Sequence, residues 1–297
     1  MCTPRTGTAG NPGTVGAVRS DRDDDERRGI PDGLPPRLRV IDVAGRGGTA
    51  VVWRARDRRA GRDVAVKVIP LRGSDDGASV DAETLRSRFD HEVRALARMA
   101  GHPHVLDILA AGSDDRHAWV VTPLAEGSLA DVVTADGPLD AVTTSSLAVA
   151  LASALTHAHS FEVLHGDVTP ANVLFVDGRA VLSDFGLATV QALRLTDGEP
   201  SPVLGATPGW AAPERIDGGP ATAASDVYGL GATMWSAATA RRPPTHRPPD
   251  PAAVARGLDV IIAECCDPDP ARRPTASAVL RVAESERRRR DRYCPAP

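Results

Sequence analysis

The sequence predicts an α+β fold, with short strands crowded into the first part of the chain and helices filling most of the rest. Three observations predict it. A strand, a glycine-rich turn and a second strand follow one another from Leu38 to Trp53, and a third strand reads over Asp63 to Ile69. Helical periodicity then takes over at 83–99 and returns at 145–161. Beyond it lies a stretch, His165 to Gly186, in which polar residues are set around two short apolar runs.

The chain has 297 residues, enough for one large domain or one domain in two lobes. Charged residues make up 25% and the formal net charge is -4, so no strong positive field directs it to nucleic acid or an anionic membrane. No run of about 18 apolar residues offers a membrane span. The N-terminus lacks an apolar signal core. Together these features read as a cytoplasmic protein. The four cysteines have neither the density of a disulfide scaffold nor the spacing of a zinc knuckle, and read as reduced thiols. Lys67 is the one lysine in the chain; every other long cationic side chain is arginine.

Residues 1–36 are rich in Gly, Pro, Thr, Asp and Arg and predict a disordered tail. Leu38 to Val43 then suits a strand. Gly45-Arg46-Gly47-Gly48-Thr49-Ala50 turns the chain into Val51-Val52-Trp53. The turn leads into a strand rather than a helix, which disfavours a dinucleotide-binding reading. Its glycines would let the backbone lie close over phosphates. The next strand sets Lys67 behind Val64, Ala65 and Val66. A lysine in an apolar strand needs an anion, and a compact ammonium suits a phosphate pocket better than a guanidinium does.

Leu85, Phe89, Val93, Leu96 and Met99 form the apolar stripe of the first helix, which also carries Glu92. Val105 to Ala111 and Trp119 to Thr122 read as further strands. Ser128 to Val133 and Ser145 to Phe161 read as helices, and His157 and His159 in the second read as ordinary helix histidines rather than metal ligands. In the central stretch, Val173 to Val176 and Ala180 to Leu182 are joined by Asp177-Gly178, a hairpin signal. The hairpin can bring Asp167, Asn172 and Asp184 to one rim. A carboxylate and an amide there could hold Mg²⁺ against phosphates, and the other carboxylate could face an incoming hydroxyl. A core helix follows at 227–238, and 241–251 is too proline-rich for a helix interior. Helices resume near 252–265 and 275–286, and Arg287 to Arg290 reads as a solvated basic end.

The ordered set Asp167, Asn172 and Asp184-Phe185-Gly186 resembles the catalytic loop and Asp-Phe-Gly motif of bacterial, eukaryotic-like (Hanks-type) serine/threonine protein kinases. Val64-Ala65-Val66-Lys67 is close to that family's Val-Ala-Ile-Lys, and Thr207 opens T-P-G-W-A-A-P-E, close to its T-P-x-Y-x-A-P-E. The resemblance runs from about Leu38 to Glu284. It implies a bilobal fold with a small β-rich N-lobe (37–122), a hinge (123–127) and a mainly helical C-lobe (128–286), followed by a basic tail (287–297). It implies ATP and Mg²⁺, or Mn²⁺, as cofactors and a Ser- or Thr-bearing protein as partner, without nucleic acid or a membrane span.

Residue by residue, the resemblance implies that Gly45, Gly47, Val52, Ala65, Lys67 and Ala125 contact the nucleotide. Lys67 would pair with Glu92, and Asn172 and Asp184 would hold the metal. Asp167 would orient the acceptor hydroxyl. It also implies that Asp226 caps the catalytic loop, that Glu214 pairs with Arg273 and that Thr122 stands at the back of the pocket. The segment from Leu187 to Pro208 would be the activation segment. Ala50, Gly166 and Thr169 depart from the pattern, where the family carries glycine, arginine and lysine. Two other readings stay open: a kinase-like fold serving as a nucleotide-binding docking or sensing module, and a small-molecule phosphotransferase.

Overall fold

A computed structural model describes residues 30–31, 33–46, 50–71, 82–185, 207–245 and 247–293. The elements below fall within the unit Pro31–Pro297. The expected tail up to residue 29, Gly47, Gly186 and the activation segment before Thr207 lie outside the described residues.

The N-terminal lobe is built on an antiparallel sheet in the order β1-β2-β3-β5-β4. Its strands are β1 (Leu38–Arg46), β2 (Val51–Asp57), β3 (Arg62–Pro70), β4 (Ala110–Ser113) and β5 (His117–Pro123). The two-residue period of a strand explains how one face becomes core and the other a binding wall. In β3, Val64, Val66 and Val68 are buried, while Ala65 and Lys67 point the other way. The register sets Val52 and Val120 on either side of Lys67, and Thr122 opposite Ala65. One helix, α1 (Ala82–Arg98), packs Leu85 and Phe89 against this sheet.

The expected strand at Val105 to Ala111 is mostly not one. Val105 makes a single parallel bridge to Leu182, and Leu106 N–H donates to the Leu182 carbonyl at 3.0 Å. The segment bonds downward to the C-terminal lobe, and the ladder with β5 begins only at Ala110. Its apolar residues are therefore spent on joining the lobes, which a strand-like pattern alone does not reveal.

The C-terminal lobe opens with β6 (Gly127–Ser128), β7 (Val173–Val176) and β8 (Arg179–Leu182), paired in that order. Asp177 and Gly178 both have positive φ, 50° and 69°, the geometry of a two-residue hairpin turn. The helices are α2 (Leu129–Asp136), α3 (Ala141–Ser160), α4 (Pro213–Ile216), α5 (Ala223–Thr239), α6 (Leu258–Cys265) and α7 (Ala276–Tyr293). Ser128 with Asp131, and Thr222 with Ser225, form reciprocal capping boxes that start α2 and α5. The helix expected from about residue 252 begins only at Leu258, after a 3-10 turn at Pro251–Ala253. The last helix runs through the basic stretch to Tyr293.

The larger core lies among α3, α5, α6 and α7, and α5 is buried along nearly its whole length. α3 has the length and apolarity of a membrane-crossing helix, with a mean hydropathy of 1.3. Its Leu147, Leu151 and Leu155 are packed inside this core. The whole is a bilobal, protein-kinase-like fold with a β-rich N-terminal lobe and a mainly helical C-terminal lobe.

Candidate active site

A cleft of about 330 Å³ opens between the lobes. Gly45, Val52, Ala65 and Lys67 form its upper wall, Ala125 its edge, and Asp184 part of its floor. Asp167 and Asn172 stand in an adjoining groove of about 300 Å³, with Thr169 and Thr207. The described nucleotide-side residues named from the sequence thus share one wall system, and the acceptor-side carboxylate sits next door. Gly45 has no positive φ, and a Cβ built there would meet nothing within 4 Å. Neither backbone strain nor internal packing demands glycine at this position.

Lys67 Nζ lies 2.7 Å from Asp184 Oδ2. This differs from the expected Lys67–Glu92 pair. In this conformation the ammonium is taken by Asp184. Glu92 on α1 is partly buried, and among the described residues it forms no ion pair. Its carboxyl is raised above the ordinary value because burial disfavours the charge, with neighbouring His91 partly opposing the shift. Asp184 itself takes φ 62°, an uncommon conformation for a residue with a Cβ, while the following Phe185 is buried in the C-lobe core.

The catalytic loop is held differently. Asp226 on α5 is 1% exposed, and its carboxylate accepts three hydrogen bonds. They come from His165 N–H (2.9 Å), Gly166 N–H (2.8 Å) and the His159 Nε2 side (2.9 Å). Gly166 has φ 80°, so the residue in place of the family arginine is also one whose backbone favours glycine. His165 Nδ1 accepts from Asp167 N–H at 3.1 Å, and its Nε2 faces the Ser183 carbonyl at 2.8 Å. Those roles assign the proton to Nε2. Ser183 Oγ in turn donates to the Asn172 carbonyl at 3.0 Å.

Asn172 Nδ2 donates to the Asp167 carbonyl at 2.8 Å, which leaves Asn172 Oδ1 as the atom available to a cation. Asp167 accepts Thr207 N–H on Oδ1 (3.0 Å) and Thr207 Oγ1 on Oδ2 (3.1 Å). Burial pushes the Asp167 carboxyl up from its ordinary value, and the Thr207 hydrogen bonds work against that shift. The Asn172 amide oxygen and the Asp184 carboxylate are hard oxygen donors of the kind that suit Mg²⁺ sharing its shell with phosphates and water. Among the described residues no group of three or more His, Cys, Asp or Glu forms a protein-only cation cage.

Several supporting residues carried no clear signal in the sequence. Gly229 on α5 lets Val168 approach: a Cβ there would lie 2.9 Å from Val168 Cβ and 3.0 Å from its carbonyl oxygen. Thr233, one turn on, donates to that same carbonyl at 3.1 Å. The glycines of D-V-Y-G-L-G-A could have raised the question, because glycine in a buried helix interior costs stability without a packing reason. Ser183, which links His165 to Asn172, has no comparable signature. Farther down, Arg273 grips Glu214 with two bonds, 2.6 and 2.8 Å, as the sequence led one to expect. His157 Nε2 meets the Met99 carbonyl at 3.1 Å, and its ring stacks on His102 at 4.5 Å.

A family model described as the protein kinase domain matches residues 38–283. The chain belongs to the protein kinase family. Among curated proteins, this kinase domain is similar to serine/threonine-protein kinase PknK of Mycobacterium tuberculosis, 39% identical over 202 residues. That match covers 67% of this chain and 17% of that protein. It is 36% identical over 278 residues to the DNA damage-responsive serine/threonine-protein kinase RqkA of Deinococcus radiodurans, covering 83% of this chain and 39% of that protein. Serine/threonine-protein kinase PrkC of Bacillus subtilis is 32% identical over 209 residues, 70% of this chain and 31% of that protein. The kinase domain thus spans well under half the length of each of these relatives.

Proposed function

We propose that the chain is a serine/threonine protein kinase that transfers the γ-phosphoryl group of ATP to a protein hydroxyl. The observation that carries this reading is the division of labour between the two cavities. Lys67 and Asp184 face each other across the cleft, while Asp167 stands in the groove beside it, hydrogen-bonded to Thr207. Val52 and Ala65 would pack on the adenine, and the Ala125 amide would donate to it. Gly45 and Gly47 would let the loop backbone cover the phosphates, and Lys67 would hold them, supported by Glu92 once Asp184 turns to the metal. Asn172 and Asp184 would hold Mg²⁺, which neutralises phosphate charge when bound. Asp167 would orient the acceptor hydroxyl and take its proton. The domain limits 37–286 and a cytoplasmic setting belong to the same proposal.

Two observations favour a second reading, a nucleotide-binding docking or sensing module. Glu92 is not paired with Lys67 in this conformation, and the family's lysine is replaced by Thr169, which is 3% exposed. The full chain with labelled ATP, Mg²⁺ and a panel of Ser/Thr peptides separates the two. Labelled phosphoserine or phosphothreonine is the expected product. Tight nucleotide binding with no transfer would establish the module instead.

A further inference from the structure

The groove beside Asp167 carries a charge pattern with a consequence for the acceptor. Of its described lining residues, only Asp167, Arg241 and Arg242 are charged. α2 contributes Ala130, Val133 and Thr134, all neutral, and its Asp131 is turned away to bond Ser128 N–H and Oγ at 2.8 and 2.7 Å. Thr169 adds no charge. Beyond the reacting carboxylate, the field of the groove is therefore positive and comes from the end of α5.

The two arginines are set up differently. Arg242 Nη2 donates to the Pro208 carbonyl at 3.0 Å, and its guanidinium lies 5.5 Å from the centre of the Trp210 ring. Its head is fixed. Arg241 follows Ala240, which ends α5 at φ 53°. Its N–H donates to Thr239 Oγ1 at 3.3 Å, and its carbonyl accepts Ser236 Oγ at 2.9 Å. The backbone is thus held on both sides, while the exposed side chain makes no hydrogen bond or ion pair among the described residues.

We infer that this groove takes an acidic peptide: the acceptor Ser or Thr is flanked by Asp or Glu, which Arg241 and Arg242 read. The inference rests on the phosphotransfer reading for the word acceptor, and on the groove's charge for the word acidic. An arginine fork matches a carboxylate bidentately and repels a flanking lysine. Arg242, pre-set on Trp210, supplies orientation, and unpaired Arg241 supplies most of the discrimination.

The test uses the full chain and three fluorescein-labelled peptides that differ only beside a single Ser: Glu-flanked, Ala-flanked and Lys-flanked. Anisotropy titration should rank them in that order, with the Glu peptide bound on the order of tenfold more tightly than the Ala peptide, as a charge-assisted contact allows. Arg241→Ala should flatten the ranking, and Arg241→Glu should invert it. Equal binding of all three peptides, no measurable binding of any, or an order that survives Arg241→Glu would overturn the inference. Phosphoryl transfer to the same peptides is read in parallel. Transfer at equal kcat/KM to all three would leave the kinase reading standing and this one fallen. The predicted binding order without any transfer would do the reverse.

Discussion

The catalytic loop and the Lys67 side of the cleft are built on opposite principles. Around Asp167 nearly every polar atom has a protein partner: Asp226 holds two backbone amides, His165 bridges to Ser183, and Thr207 caps the carboxylate. Across the cleft, the Lys67 ammonium is paired with Asp184, and half-buried Glu92 has no ion-pair partner among the described residues. A fully bonded network fixes geometry before any ligand arrives. An unbalanced set of charges waits for a ligand to balance it. On the proposed function, the difference means that the carboxylate facing the acceptor is pre-placed, whereas the lysine that would hold the phosphates would be completed on binding.

The largest effect should come from breaking the pre-placed side. Asp167→Asn should lower phosphoryl transfer by about 10³-fold, some 4 kcal/mol of barrier. Nucleotide affinity should barely move, because Asp167 lies outside the cleft wall. Single-turnover rates and calorimetry on the same protein decide this. A matching loss of nucleotide binding would collapse the distinction between the two regions.

Lys67→Met attacks the other side. It should weaken Mg²⁺-ATP binding by about 1.5–3 kcal/mol, the range for a hydrogen bond to a charged group. Unchanged calorimetric affinity would show that Lys67 does not anchor phosphates.

Gly229→Ala tests whether the catalytic loop owes its position to α5. The added methyl must displace Val168, and overpacking of this kind costs about 1–3 kcal/mol. Thermal melts should show that loss, and transfer should fall while ATP affinity is kept. A melt like that of the parent would mean that the loop gives way freely.

The smallest effect sharpens the comparison most directly. Burial raises the Glu92 carboxyl, so ionising it costs the ligand-free fold. Its folded-state pKa lies above its unfolded one, so this contribution to stability is present below the unfolded pKa and is lost as pH rises through the folded one. Glu92→Gln should therefore stabilise the ligand-free protein above that pH by up to about 1 kcal/mol, since the side chain remains partly screened by solvent. The same substitution should reduce transfer, where the pair with Lys67 is needed. A destabilised ligand-free Glu92→Gln protein would mean that Glu92 already has a partner.

These contrasts also mark how much the sequence disclosed. Lys67 was legible as a lysine inside an apolar strand, while Val52 and Ala65 followed from the kinase resemblance; the structure sets all three on one wall. Asp177-Gly178 announced its hairpin through the φ values that only certain residues tolerate. The Asp226 cap and the Glu214–Arg273 pair followed from the kinase resemblance. The state of Glu92 did not follow, because which carboxylate meets Lys67 depends on where the fold places α1 and Asp184. Gly229 gave only the hint of a glycine inside a buried helix, and Ser183 gave none: what they serve is a close approach and a relay between segments far apart in the chain. The segment at Val105 misled for a related reason, since the same apolar pattern serves a strand or a bridge between lobes.

Lys67 carries one more consequence. As the chain's single lysine, it makes the ε-amine a chemically unique atom placed inside the cleft, 17% exposed and engaged with Asp184. An amine-acylating reagent has one side-chain target here, and that target is the cleft itself. The extent of acylation, read by intact mass, becomes a direct gauge of whether the cleft is filled. The same uniqueness means that a lysine modification neutralising the ammonium would fall on the cleft residue proposed to hold the phosphates and nowhere else among the side chains.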